Sequence, residues 1–202
     1  MNGFFKIKDP LQRFTIYGAN MQTDIRSKRA GEHEAGLLLL QKSLYEEYAI
    51  RLPETIPEDE IAFGAHGKPY LRNFPRIHFN ISHSYGRIVC AFSKTPVGVD
   101  VERIAPVKDA LLRRTLAQQE QQELQALVDE GYDRDEIFFR YWTAKESYLK
   151  YLGCGITREL RDVIISPRVP VGGGLWTAHC DQRERISQYG PAEGFLLSVS
   201  YP

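Results

Sequence analysis

Cysteine is scarce in this sequence: Cys90, Cys154 and Cys180 are odd in number, widely spaced and free of any CxxC pair. That excludes a disulfide framework and suits a reducing compartment. Long apolar runs are missing too. The longest aliphatic one, Leu37 to Leu40, falls far short of the roughly 20 residues that span a bilayer. The N-terminal stretch MNGFFKIKDP scatters charges where a secretory signal would carry an apolar core, so a cytoplasmic location is the expectation. Excess charge of either sign is absent as well, because 26 Lys and Arg balance 26 Asp and Glu. Bulk charge therefore predicts neither a nucleic-acid nor a membrane partner, and any anion site must come from local placement. What remains, 43% apolar and 26% charged residues in a chain of 202, is ordinary for one domain or two small ones sharing a core.

Helical and extended patterns are mixed. Residues 4–18 read as one or two short strands, with Phe14, Ile16 and Tyr17 apolar. From Ser27 to about Ile50 the pattern is helical, with Leu37, Leu40, Leu44, Tyr45 and Tyr48 directed at a core, and Pro53 and Pro57 end it. IAFGAHGKPYL reads as a strand, a turn and a short extended piece. Strands around Ile77–Ile81 and over Arg87–Ser93 flank a turn at Ser84–Gly86. A polar helix is expected from Asp109 to about Glu130, with Leu111, Leu112, Leu116, Leu124 and Leu127 as its apolar positions. An aromatic-rich helix follows from about Asp133 to Leu152, with Asp133 or Asp135 as N-cap and Gly153 or Gly155 as stop. Strands at 162–166, 174–179 and 194–200 complete an α+β pattern without regular βαβ alternation. YGRIVCAFSKTP and EGFLLSVSYP form a weak internal echo, each a Gly, an apolar strand, a polar pair and a Pro, which suggests two related lobes meeting near residue 100.

The stretch VGVDVERI, residues 97–104, is the oddest strand of the set. Val97, Val99 and Val101 alternate with Gly98, Asp100 and Glu102, so two carboxylates stand on one face roughly 7 Å apart. They read either as solvated charges on an edge strand or as the start of a hard-metal site, in which a cation such as Mg²⁺ relieves their repulsion. YWTAKESYLK offers a third carboxylate: Glu146 and Lys150 share a helix face, as a surface ion pair or as part of a metal-plus-phosphate pocket with Lys145 beside them. In FNISHSYG, Ser82, His83 and Ser84 follow a strand and precede a Gly turn, where hydroxyls, imidazole and backbone donors suit phosphate oxygens or simply make a turn. A Ser nucleophile competes as a reading, but no GxSxG elbow is present. Lys68, in GKPYL, sits in a tight turn just upstream.

Taken in order, GKPYL…FPRIHFNISHSYG, PVGVDVERI and FFRYWTAKESYLKYLGCGI resemble the three signature regions of the 4′-phosphopantetheinyl transferases of the surfactin-synthetase-activator type, over roughly residues 64–157. The resemblance implies an α+β fold of two similar lobes in pseudo-twofold relation, 1–98 and 99–202, forming one compact unit with the active site between them. It implies a holo-carrier-protein synthase that moves the phosphopantetheine arm of coenzyme A onto a serine of an apo acyl or peptidyl carrier protein, releasing adenosine 3′,5′-bisphosphate. Carried over by position, Asp100, Glu102 and Glu146 correspond to the Mg²⁺ carboxylates, with Mn²⁺ an alternative metal. Lys150, with Lys145 beside it, corresponds to the pyrophosphate-contacting lysine. Ser82 and His83 correspond to residues around the coenzyme A phosphates, and Lys68 to the lysine near the adenosine. Glu120 is the nearest match to a proposed general base, with Glu123 close by.

The chemistry asks for charge neutralisation by Lys150 and His83 and a carboxylate or bound water to take the serine proton. Arg26, Lys28 and Arg29 are the basic residues available to a 3′-phosphate, and Cys154 stands where a lysine is common in the family. Arg113 and Arg114, with Leu111, Leu112 and Leu116, read either as a basic, apolar face for an acidic carrier or as a core-packed helix with solvated arginines. A chain with both lobes needs no second subunit, so a monomer is expected, without nucleic-acid or membrane partners. Two other readings share the same residues: a non-catalytic coenzyme A or carrier-binding homologue, and a Mg²⁺-dependent nucleotide phosphohydrolase.

Overall fold

The computed structural model describes residues 2–21, 30–53, 60–155, 159–168, 176–180 and 184–202, so the candidate 3′-phosphate contacts Arg26, Lys28 and Arg29 lie outside the described residues. Alternating strands build two antiparallel sheets. The first contains β1 (Asn2–Lys8), β2 (Phe14–Asn20), β5 (His78–Ser84) and β6 (Arg87–Ser93) in the order β1-β2-β6-β5. The second contains β7 (Gly98–Arg103), β8 (Ser166–Arg168), β9 (Trp176–Cys180), β10 (Glu184–Ala192) and β11 (Phe195–Tyr201) in the order β7-β11-β10-β9-β8. A small hairpin, β3 (Ile61–Phe63) with β4 (Pro69–Leu71), stands apart from both. With helices α1 (Ala30–Tyr48), α2 (Asp109–Thr115), α3 (Gln118–Asp129) and α4 (Arg134–Leu152), the fold is α+β, as the pattern predicts. No helix of the described residues is long and apolar enough to cross a membrane.

The period of two along the strands sorts side chains into three apolar layers. Tyr17, Ile88, Cys90 and Phe92 pack against Leu39, Leu40 and Leu44 of α1. Their alternates Ile16, Val89 and Ala91 meet Val97, Val99 and Val101, together with Leu197 and Val199 from β11. On the other side of the second sheet, Ala178 and Ile186 meet Phe138, Tyr141 and Leu149 of α4. Burial of such large side chains, about 1.5–3 kcal/mol each, is the main favourable contribution to this arrangement.

Three sequence expectations are revised. The helix expected over 109–130 is two helices, because Leu116 is extended and the Glu120 carboxylate accepts the Ala117 N–H at 2.8 Å, which starts α3 afresh. Residues 162–166 are not a strand: the 3₁₀ turn Leu160–Asp162 ends at residue 162, 163–165 are irregular, and the short β8 begins only at Ser166. The nine-residue β10 goes unnoticed in the pattern, since Gly190, Pro191 and the polar Ser187 and Gln188 all argue against a strand. Its buried polar groups are matched from outside: Ser187 pairs with the Tyr201 hydroxyl at 2.9 Å, and Gln188 donates to Arg140 O at 2.7 Å and Ser198 Oγ at 2.9 Å. Of the apolar positions named for the helices, Tyr45 and Leu111 are exposed rather than core, as is Leu152 at the end of α4.

Candidate active site

Gly98 decides where α4 lies. A Cβ there would stand 2.1 Å from Ser147 O and 2.3 Å from Tyr151 N, so only a residue without a side chain lets the helix backbone come down on β7. Beside it, Thr143 and Ser147 of α4 pair with Ser198 and Ser200 of β11 at 2.7 and 2.8 Å. Ser200 and Ser198 are the register partners of Gly98 and Asp100. Small hydroxyl residues thus line the contact where large ones would hold helix and sheet apart. The N-cap Asp133, accepting the Glu136 N–H at 2.8 Å, and the left-handed Gly153 bound the helix as expected.

Close approach brings Lys150 over the acidic face of β7. Its Nζ donates to Asp100 Oδ1 at 2.6 Å and to Ser82 Oγ at 3.0 Å, and Ser82 in turn donates to Asp100 Oδ1 at 2.9 Å. Ser84 donates to Glu102 Oε2 at 2.6 Å. Asp100 is 3% exposed, and its second oxygen, Oδ2, is buried without a hydrogen-bond partner. Burial, then the neighbouring Asp100 carboxylate, raises Glu102 to about 7, against the opposing hydrogen bond from Ser84 and charge of Lys150. Burial and Asp100 also push Glu146 above the usual carboxylate range, with Lys150 opposing. The three carboxylates therefore feel one another through a partly dry medium.

The edge of β7 that faces β5 shows a feature the motif reading missed. Asn80, Ser82 and Ser84 project from β5 at every second residue. They accept the N–H groups of Val99 at 2.8 Å, Val101 at 3.3 Å and Arg103 at 3.3 Å. A strand edge with no backbone neighbour on that side is thus satisfied by a ladder of side chains, which also sets the two hydroxyls against the two carboxylates. The N-x-S-x-S spacing was the available signal, since it matches the strand period.

For a hard divalent cation the donors are suitable: an unpartnered buried oxygen on Asp100, with Glu102 and Glu146 beside it, is an all-oxygen set. As they stand, no three carboxylate, His or Cys side chains among the described residues close on one point. Lys150 occupies one oxygen of Asp100, and Ser84 one of Glu102.

Other residues singled out in the sequence fall elsewhere. His83 is half-exposed, its Nδ1 3.2 Å from Glu32 Oε2, on the rim of a cleft of about 190 Å³ lined by His33, Phe63, Phe79 and Ile81 among others. Lys68 is turned inward, donating to Val97 O at 3.0 Å and Tyr151 O at 2.9 Å, and burial lowers it to about 8. Glu120 and Lys145 form a fully buried pair, 2.5 Å apart. Lys145 also donates to Thr115 O and Leu160 O, and Glu120 accepts the Ile165 N–H at 2.9 Å. That pair ties α2, α3 and α4 together, away from the cleft. Glu123 accepts from the Tyr141 hydroxyl at 2.8 Å. Of the suggested carrier face, Leu112 and Leu116 belong to the core, whereas Leu111, Arg113 and Arg114 are exposed.

A buried carboxylate, two companions, a lysine and a serine hydroxyl define the class: a site whose chemistry suits a cation and phosphate oxygens together. Comparison with known proteins gives that class a family. The model of the 4′-phosphopantetheinyl transferase superfamily matches residues 96–190. The chain is 38% identical over 160 residues to 4′-phosphopantetheinyl transferase gsp of Aneurinibacillus migulanus, covering 76% of this chain and 65% of that protein. It is 35% identical over 125 residues to 4′-phosphopantetheinyl transferase psf-1 of Bacillus pumilus, covering 62% and 51%. With 4′-phosphopantetheinyl transferase Sfp of Bacillus subtilis it shares 34% identity over 95 residues, covering 47% and 42%. The chain thus spans less than two thirds of the length of each of these relatives. Residues 96–190 thus match the 4′-phosphopantetheinyl transferase superfamily that the three motifs imply, and the relatives named are 4′-phosphopantetheinyl transferases.

Proposed function

We propose that this chain transfers the 4′-phosphopantetheine group of coenzyme A to a serine of an apo acyl or peptidyl carrier protein, acting as a holo-carrier-protein synthase. One observation carries the reading: Asp100, Ser82 and Lys150, from three separate elements, converge on a buried carboxylate with an oxygen to spare. The match of residues 96–190 to the superfamily supports it. Asp100, Glu102 and Glu146 would hold Mg²⁺, or Mn²⁺ in its place. Such a cation would supply Lewis-acid charge and a template for pyrophosphate oxygens.

The chain's own residues do the rest. Lys150, with its side chain 30% exposed beside Asp100, offsets charge on phosphate oxygens. Ser82 offers a hydroxyl beside Asp100, while His83, on the opposite face of β5, offers an imidazole at the rim of the apolar cleft, which suits the nucleotide base. The carrier serine oxygen bonds to the β-phosphorus, the bridging P–O bond breaks, and its electron pair leaves on adenosine 3′,5′-bisphosphate. The serine proton passes to a carboxylate of the site. Glu146, partly exposed on α4, is better placed to receive it than Glu120, both of whose oxygens are already bonded in the interior. Lys145 and Lys68 then act by holding helices rather than by touching phosphate. Leu111, Arg113 and Arg114 remain the exposed face offered to an acidic carrier.

The same proposal reads the chain as a monomer of two similar lobes, 1–98 and 99–202, working in the cytoplasm without nucleic-acid or membrane partners. The hairpin turns of the internal echo support the lobes: Tyr85-Gly86 and Glu193-Gly194 share φ values of 47° and 80° against 52° and 77°. Incubation with coenzyme A, Mg²⁺ and an apo carrier protein tests the activity. We expect the carrier to gain one phosphopantetheine by mass, and the gain to vanish with EDTA. An unmodified carrier with coenzyme A retained would favour the binding homologue, and coenzyme A cleavage without a carrier the hydrolase.

A further inference from the structure

We infer that Lys150 is the resident counter-ion of the Asp100 pocket and must be exchanged for the divalent cation, so that cation and pyrophosphate bind as a coupled pair. The inference rests on the reading of Asp100, Glu102 and Glu146 as the cation's ligands. Three observations carry it. The Lys150 ammonium lies 2.6 Å from Asp100 Oδ1 and 3.0 Å from Ser82 Oγ, inside the space a cation on that oxygen would need. Asp100 is only 4% exposed in its side chain, so the lysine supplies compensation that water does not. The Lys150 side chain is 30% exposed, and its flexible four-carbon stem lets the ammonium swing outward from Asp100.

Two positive charges at contact distance from one carboxylate repel strongly where water is sparse. A divalent cation entering alone has to expel the ammonium into open solvent with nothing to receive it. When a pyrophosphate is present the ammonium moves onto phosphate oxygens instead, and the cation takes Asp100. By linkage, whatever factor pyrophosphate adds to cation affinity, the cation adds to pyrophosphate affinity. Lys150 thereby blocks cation binding while the cleft is empty and binds phosphate once it is filled.

Mn²⁺ binding to the protein alone, followed by electron paramagnetic resonance of the free ion, tests this apart from any turnover. Lys150→Met, with Lys150→Gln as a second variant, should bind Mn²⁺ about tenfold tighter or more than wild type. Arg103→Met controls for long-range charge, because Arg103 is exposed over the Tyr85 ring on the same strand and should change affinity less than about twofold. Asp100→Asn should abolish the gain in a Lys150→Met background. Saturable binding of equal strength in wild type and both Lys150 variants would overturn the exchange while leaving the metal reading standing. No saturable binding in any protein, with or without coenzyme A, would overturn the metal reading and the exchange together.

Discussion

Asn80 illustrates how much one side chain decides at the seam between β5 and β7. Its Oδ1 accepts the buried Val99 N–H at 2.8 Å, on an edge where no strand is available to do so. Truncation leaves that donor unpaired, which costs about 1–3 kcal/mol. Asn80→Ala should therefore lower the unfolding free energy by that amount, read as a lower urea midpoint with an unchanged slope. Ser84→Ala should cost less, because its bond to the Arg103 N–H is long at 3.3 Å and part-exposed. An Asn80→Ala midpoint equal to wild type would mean that the seam is held by the apolar layer alone. Asn80 was visible in FNISHS yet carried no chemical signal of its own, since the group it satisfies is a backbone N–H brought from residue 99.

Helix α4 and strand β7 make the site as elements, and the closeness of their contact is its controlling dimension. Gly98→Ala places a methyl group against Ser147 O and Tyr151 N, both backbone atoms that cannot turn aside. Overpacking of that kind costs about 3 kcal/mol or more, and the helix has to lift off the strand. We expect a thermal midpoint several degrees lower and loss of the Lys150–Asp100 contact, visible as a changed response to Mn²⁺. A variant with wild-type stability would show that the two elements yield more readily than their backbones suggest. The period and caps of α4 were legible in the sequence, including Asp133 and Gly153. The rotation of the helix was not: Lys145 and Glu146 are neighbours in sequence, yet one enters the core and the other stays part-exposed near Asp100.

Across the whole molecule, Lys68 fastens the β3–β4 hairpin to both parts of the site. It donates to Val97 O, just before β7, and to Tyr151 O, in the last turn of α4. Burial without a carboxylate partner holds it at about 8 against an ordinary 10.5. Between those values the unfolded chain binds more protons than the folded one, so this residue makes stability rise with pH across the window. Deprotonation leaves two N–H donors for the two carbonyls and removes the buried charge. Relative to Lys68→Met, wild type should gain about 1–2 kcal/mol between pH 8 and 10.5, allowing for partial solvent screening. Parallel pH profiles in urea unfolding would remove the lysine's charge from the account.

Taken alone, the sequence determined the elements with a clean period, the α+β class and the short-range grouping of Asp100 with Glu102 and of Glu146 with Lys150. Those follow from side-chain direction in strands and helices, which is a local property of the backbone. Only the tertiary structure decided that Lys150 reaches Asp100 across 50 residues, that Asp100 keeps an unpartnered oxygen, and that Glu120 and Lys145 close on each other in the core. The strand β10, with its polar and Gly-Pro residues, belongs to the same group. In each case the deciding partner lies far along the chain, and charge burial or hydrogen-bond satisfaction is settled only when the elements pack.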